Sequence, residues 1–187
     1  MSKLLLPLAG ALCLAAIGQS ALAAGFTLSS KELSAGRFND KQMLSQPYGF
    51  GCSGENVSPS LSWTGAPAGT KSFALQIYDR DAPTGLGWVH WQVVNISADT
   101  KSIPSGIAKN NSGLPAGAIQ TRTDFGGAGY GGPCPPQGQT HRYEVTLTAL
   151  KVDKLANITA DSMPAMVGFM TKANAIGEAK IYVTQGR

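Results

Sequence analysis

The stretch Ser72-Phe-Ala-Leu-Gln-Ile-Tyr78 constrains the fold more than any other part of the chain, because Phe73, Leu75 and Ile77 recur with a period of two. Side chains alternate across an extended backbone, so such a row buries one face of a strand. Trp88 to Ile96, rich in Val and Trp, reads as a second strand, Arg142 to Leu150 as a third and Ala179 to Thr184 as a fourth. Ser60 to Trp63 reads as a shorter strand, bounded by Ser58-Pro59 and by Gly65-Ala66-Pro67. One helix is expected over Met163 to Ala173, where Met163, Met166, Val167 and Met170 share a face and should point into the core. Between Ala98 and Gln139 lies a segment thick with Gly, Pro and Asn. An unstructured connection of that length inside a compact domain usually either carries function or is wrongly assigned. The expectation is a mainly β domain.

The first residues read as an address. Lys3 precedes an apolar run from Leu4 to Ile17, and Ala21-Leu22-Ala23 supplies the small-x-small pattern of a signal-peptidase site. The run is shorter than the roughly 20 residues that span a bilayer. Cys13 is not a lipid-attachment cysteine, because Leu12 stands where Gly or Ala is wanted. Residues 1–23 are therefore expected to be a secretory signal peptide and 24–187 a single domain, periplasmic or secreted, with no transmembrane segment after processing. Without Lys3 the net charge falls from +4 to +3, and no run of Lys or Arg could follow a phosphate backbone. Nucleic acid is excluded as a partner on that ground. The remaining chain keeps two cysteines, Cys52 and Cys134. In an oxidising compartment they make one disulfide, or else stay as two buried thiols.

The candidate chemistry lies at strand ends. Continuing the row Phe73, Leu75, Ile77 by twos reaches Asp79 and then Asp81; stepping back from Leu147, Val145 and Tyr143 reaches His141. These polar groups extend core-facing rows, which suggests a cup at the rim of a sheet. His90, grouped by parity with Gln92, Val94 and Ile96, would line the same cup. Burying two acids and two histidines is costly unless they pair. A carboxylate beside a histidine raises its pKa and fixes its tautomer, so the ring can donate to a phosphate or carboxylate. Taken singly, each residue also fits a structural role, since Asp-Ala-Pro is turn chemistry. As a set they point to a pocket.

Other motifs do not hold. Gly127-Ala-Gly129-Tyr-Gly131-Gly132 matches GxGxxG, but no apolar strand precedes it and Pro133-Cys-Pro135-Pro136 follows where a helix should open. Gly51-Cys-Ser53-Gly54 lacks the spacing of a nucleophile elbow. Two histidines and a carboxylate could form a facial metal triad, yet no short ligand spacing such as HExxH is present.

Longer blocks carry a resemblance. Asp79-Arg-Asp81-Ala-Pro83 followed by Trp88-Val-His90-Trp91-Gln-Val-Val-Asn95-Ile96 resembles the first signature of the phosphatidylethanolamine-binding protein family. Gly129-Tyr-Gly-Gly-Pro133-Cys-Pro135-Pro136-Gln-Gly138, running into His141-Arg142-Tyr143, resembles the second. Gly51 to Trp63 and Leu114-Pro115-Ala-Gly117-Ala are similar to the bacterial YbhB/YbcL or Raf-kinase-inhibitor-like branch. The similarity runs from about Phe26 to the C-terminus. It implies two packed antiparallel sheets, a helix near the C-terminus and an anion pocket for phosphate-like head groups lined by Asp79, Asp81, Pro83, His90, Pro133, His141 and Tyr143. Arg80 departs from the proline common between the two acids, and Thr121-Arg-Thr-Asp-Phe125 from the usual Asn-Asp-Phe type segment. Cys52 and Cys134 fall one in each matching block, so a disulfide could pin the Pro-rich loop.

The reading is an exported binding protein for a small anion or phospho-head group, not an enzyme, with no cofactor and no catalytic residue. Replacing His141 with Ala is expected to abolish binding and leave the fold intact. Two alternatives stand: an inhibitor of a kinase or serine protease acting on an unknown protein partner, and, behind it, a metal-assisted hydrolase using His90, His141 and Asp79.

Overall fold

The computed structural model describes residues 25–187, and the expected signal peptide lies outside them. Strands β1 (Thr27–Ser29), β2 (Leu61–Thr64) and β5 (Ser102–Ile103) pair antiparallel in the order β1-β2-β5. Strands β3 (Ser72–Asp79), β4 (Trp88–Ser97), β6 (Ile119–Gln120), β7 (Thr140–Leu150) and β8 (Ala175–Gly186) form a second antiparallel sheet in the order β6-β4-β3-β7-β8. Helix α1 (Pro164–Asn174) runs directly into β8. The period-two rows explain the layering. Phe73, Leu75 and Ile77 from β3 and Tyr143, Val145 and Leu147 from β7 meet Leu28, Leu61, Trp63 and Ile103 of the smaller sheet in one buried core. The edge ring of Trp63 packs on Phe73 with centroids 5.4 Å apart. Among the described residues no helix is long and apolar enough to cross a membrane.

Two features depart from the sequence reading. The methionine stripe is core only in part: Met170 packs beside Val167, but Met163 and Met166 are 58% and 53% exposed, and Phe169 also faces outward. The helix touches the sheet along a narrow line, with Val167 buried against a small cluster of Ala74, Val94 and Leu150. A one-sided helix needs only that stripe, and the flanking apolar positions remain in water. The 98–139 segment is also less featureless than its composition implied. It contributes β5 and β6, and it buries Ile107, Ala118, Thr121, Thr123 and Tyr130.

Strand β4 does not keep a uniform alternation. Its register against β3 slips twice, once between the pairs Phe73↔Ile96 and Leu75↔Val93, and once between Ile77↔Trp91 and Tyr78↔Val89. Each slip inserts one extra residue into β4, and a bulge of that kind re-aims the side chains around it. Asn95 takes a positive φ of 59° at the first, and its Oδ1 accepts the Leu155 N–H at 2.9 Å. An Asn95→Ala variant loses that bond and must hold a left-handed backbone without it. It should unfold with a free energy lower by about 2 kcal/mol in urea titration.

Candidate functional site

His90 sits on the second bulge and has no Cα partner on β3. The bulge turns both His90 and Trp91 toward the inner side, whereas Gln92 and Val94, grouped with His90 by simple parity, belong to the outer face. His90 therefore reaches the pocket in different company from that expected. Its Nδ1–H donates to the Gly131 carbonyl at 2.7 Å, which leaves Nε2 as the ring nitrogen without a partner among the described residues. Burial dominates its electrostatics and pulls its pKa below the usual histidine range, against smaller opposing effects from the Gly131 bond and the Asp79 charge. Burial therefore favours the neutral form of the ring.

Asp79 ends β3 and His141 is the second residue of β7. The His141 Nδ1–H donates to Asp79 Oδ2 at 2.7 Å, and both side chains are almost fully buried. Asp79 Oδ1 accepts the Asp81 N–H at 2.9 Å, so the same carboxylate also closes the turn after β3. The other ring nitrogen of His141 lies 2.9 Å from Gln139 Oε1. Both nitrogens of His141 are thus engaged by the protein. Tyr143 packs against the His90 ring, centroids 5.3 Å apart, and burial together with the Asp79 charge pushes its hydroxyl far above the ordinary tyrosine range.

These residues floor a cavity of about 180 Å³ whose lining includes Asp79, Pro83, His90, His141 and Tyr143. Asp81 and Pro133 stand outside that lining. β3 ends at Asp79, so the period-two row stops there and Asp81 turns to Arg142 instead. Arg142 donates from its backbone N–H, Nε and Nη2 at 2.8, 2.8 and 2.6 Å, and the guanidinium holds the Asp81 carboxyl well below the usual carboxylate range. Pro133 is buried behind the wall, where its carbonyl accepts the Leu44 N–H at 3.1 Å. Its neighbours Cys134, Pro135 and Pro136 form the wall itself.

The sequence reading missed an aromatic wall. Phe50, Trp88 and Phe125 meet edge to face, with centroids 5.3–6.4 Å apart, and all three line the cavity. Trp88 was accessible from the sequence, since it lies two residues before His90 on the same strand. Phe50 and Phe125 come from loops and carry no periodicity. The Trp88 indole N–H is enclosed in this wall with no hydrogen-bond partner among the described residues. Close approach of loop to wall needs glycine: a Cβ on Gly131 would run into the Phe125 ring, and one on Gly132 into the Gln42 carbonyl. Asn56 clamps the same loop, accepting the Gly132 N–H at 2.7 Å and donating to the Tyr130 carbonyl at 2.9 Å.

Cys52 and Cys134 form a disulfide, with Cα atoms 5.9 Å apart, that ties the Phe50 segment to the Pro-rich loop. The Arg187 guanidinium donates to the Phe50 carbonyl at 3.1 Å and lies within 3.3 Å of both sulfurs.

A family model of the phosphatidylethanolamine-binding protein matches residues 34–186. The chain belongs to the phosphatidylethanolamine-binding protein family. Within it, the chain is 47% identical over 171 residues to the UPF0098 protein YbcL of Escherichia coli, covering 90% of this chain and 91% of that one. It is also 47% identical over 133 residues to E. coli YbhB, covering 71% and 84%. The crystal structure of YbcL superposes with a TM-score of 0.83 at 44% identity, over 88% of this chain and 99% of that one. A family homologue from Chlamydia trachomatis follows at 0.70 and 27% identity, over 87% and 98%. The two-sheet architecture is that of this family of binding proteins.

Proposed function

We propose that this family member is an exported, non-enzymatic binding protein that holds a small phosphate-like anion or phospho-head group against His90. The observation that carries the reading is the Nε2 of His90, without a partner among the described residues, in a cavity whose other histidine, His141, is already paired with Asp79. The Asp79 carboxyl is hydrogen-bonded from two sides, by His141 and by the Asp81 N–H. That leaves His90 to meet the anion, with Pro83 shaping one side and the aromatic wall accepting any apolar part of the ligand. The division of labour differs from a simple pair of donor histidines: His141 orients and His90 binds. A hydrolase working through His90, His141 and Asp79 would first have to separate the buried His141–Asp79 pair.

The neutral ring gives this reading a pH signature. An anion placed at Nε2 stabilises the protonated imidazole, so binding takes up a proton. Affinity should rise as pH falls from 8 to 6, by up to about tenfold per unit between the bound and free His90 values. Sulfate serves as the probe because its charge is constant over that range, and phosphoethanolamine as the head-group analogue. Following both histidine rings by nuclear magnetic resonance should show saturable shifts led by His90. A flat titration with both probes would overturn the reading. Without ligand the sign reverses: the unfolded chain takes up the proton first, so stability should fall below about pH 6.5.

A second reading, that the protein acts by docking on another protein, is favoured by the outward apolar face of α1 formed by Met163, Met166 and Phe169. Capture of a partner that is lost on Phe169→Ser and unaffected by His90→Gln would favour it; capture that follows His90 would count against it.

A further inference from the structure

The five-stranded sheet carries a second cleft on its outer face, beneath α1 and on the opposite side from His90. A row of polar side chains crosses the sheet there in register, from Gln92 on β4 to Gln76 on β3, Thr146 on β7 and Lys180 on β8. Thr148 stands one pair further along, opposite Ala74. A helix over a sheet normally covers an apolar surface, and burying amides and hydroxyls without partners is costly. Yet Gln92 is 2% exposed and Thr148 4%. Gln92 Oε1 accepts the Thr121 hydroxyl at 3.2 Å, and whichever way the amide is turned its other end is left to the cleft. The Thr148 hydroxyl likewise has no partner among the described residues. The space they face is about 200 Å³.

The charges around this cleft satisfy each other. Arg80 meets Glu144 at 2.6 Å, Lys180 bridges Glu144 and Glu178 at 3.5 and 3.4 Å, and Lys172 meets Glu178 at 3.5 Å. The four charged side chains that line the cleft balance two against two, and the one net positive charge belongs to Arg80, outside the lining. What is left over is a set of neutral donors and acceptors within one sheet row, the pattern that adjacent hydroxyl groups match because each both donates and accepts. On the helix side Gly168 faces the cleft, and a Cβ there would meet nothing within 4 Å.

We propose that this outer cleft is a second binding site, for a small neutral hydroxyl-rich molecule of monosaccharide size or below. The site is independent of the His90 cavity and does not rest on its occupancy. Gln92 and Gln76 bond the ligand hydroxyls from the floor, Thr146 and Thr148 extend the row, and Gly168 provides the room.

The test is a titration of ¹⁵N-labelled protein with D-glucose and with glycerol, up to about 100 mM, which saturates an affinity on the order of 1 mM. The side-chain amides of Gln76 and Gln92 should shift saturably with at least one probe, while the His90 ring stays still. Thr146→Val, nearly equal in volume, should weaken binding at least tenfold. Gly168→Leu should abolish it by filling the space, with no loss of fold because leucine favours a helix over glycine. Amides that fail to move with either probe would overturn the proposal. So would unchanged binding in the Gly168→Leu variant.

Discussion

Replacing His141 with Ala should lower the unfolding free energy by about 3 kcal/mol at neutral pH, and the fold should not come through unchanged. The sequence alone suggested a pure binding defect. The geometry says otherwise, because His141 and Asp79 are both buried and joined at 2.7 Å. Removing one member strands the Asp79 carboxylate in a medium that penalises unpaired charge, and breaking such pairs typically costs about 3–5 kcal/mol. The lower end applies here, since Asp79 keeps the Asp81 N–H. Urea denaturation of His141→Ala, Asp79→Asn and the double variant measures the coupling. The double variant should be more stable than additivity predicts, as the stranded charge is gone. Equal midpoints for wild type and His141→Ala would show that the pair contributes nothing.

Severing the Cys52–Cys134 bond should have an effect of similar size and a second consequence at the cavity. The crosslink spans 82 residues, and closing so long a loop restricts the unfolded chain by about 4 kcal/mol in the entropic account. Cys134 is also part of the cavity wall, and Phe50 is carried two residues before Cys52. A Cys52→Ser, Cys134→Ser variant should therefore melt earlier and bind sulfate or phosphoethanolamine more weakly. Calorimetry and titration at a temperature where both proteins are folded separate the two losses. Unaltered binding in the folded variant would mean that the wall stands without its crosslink.

The sheet was readable because its inner rows are strict: Phe73, Leu75, Ile77 and Asp79 alternate without interruption, as do His141, Tyr143, Val145 and Leu147. Where alternation breaks, the reading broke. The two extra residues in β4 put Gln92 and Val94 on the face opposite to the one inferred, and nothing in a single sequence marks a bulge. Asp81 was carried one step too far along a row that ends at Asp79. The short strands β1, β5 and β6 are two or three residues long and leave no periodic trace. Phe50 and Phe125 reach the cavity through loop geometry, which long-range closure sets and local pattern does not encode. The helix was placed within one residue at each end, but its buried side only in part: of the four apolar positions considered, Val167 and Met170 make the contact and Met163 and Met166 do not.

The bulge at His90 bears on how such a protein can change over generations. A ladder residue answers to two neighbours, and replacing it disturbs the pairing on both sides. His90 has no opposite number on β3, so no β3–β4 pair depends on what occupies that position. Its anchoring comes from a loop carbonyl, Gly131, rather than from the strand beside it. The cavity's reactive character can therefore drift while the architecture stays fixed, and two relatives with superposable sheets need not share a ligand. The spare residue makes the binding chemistry an interchangeable part.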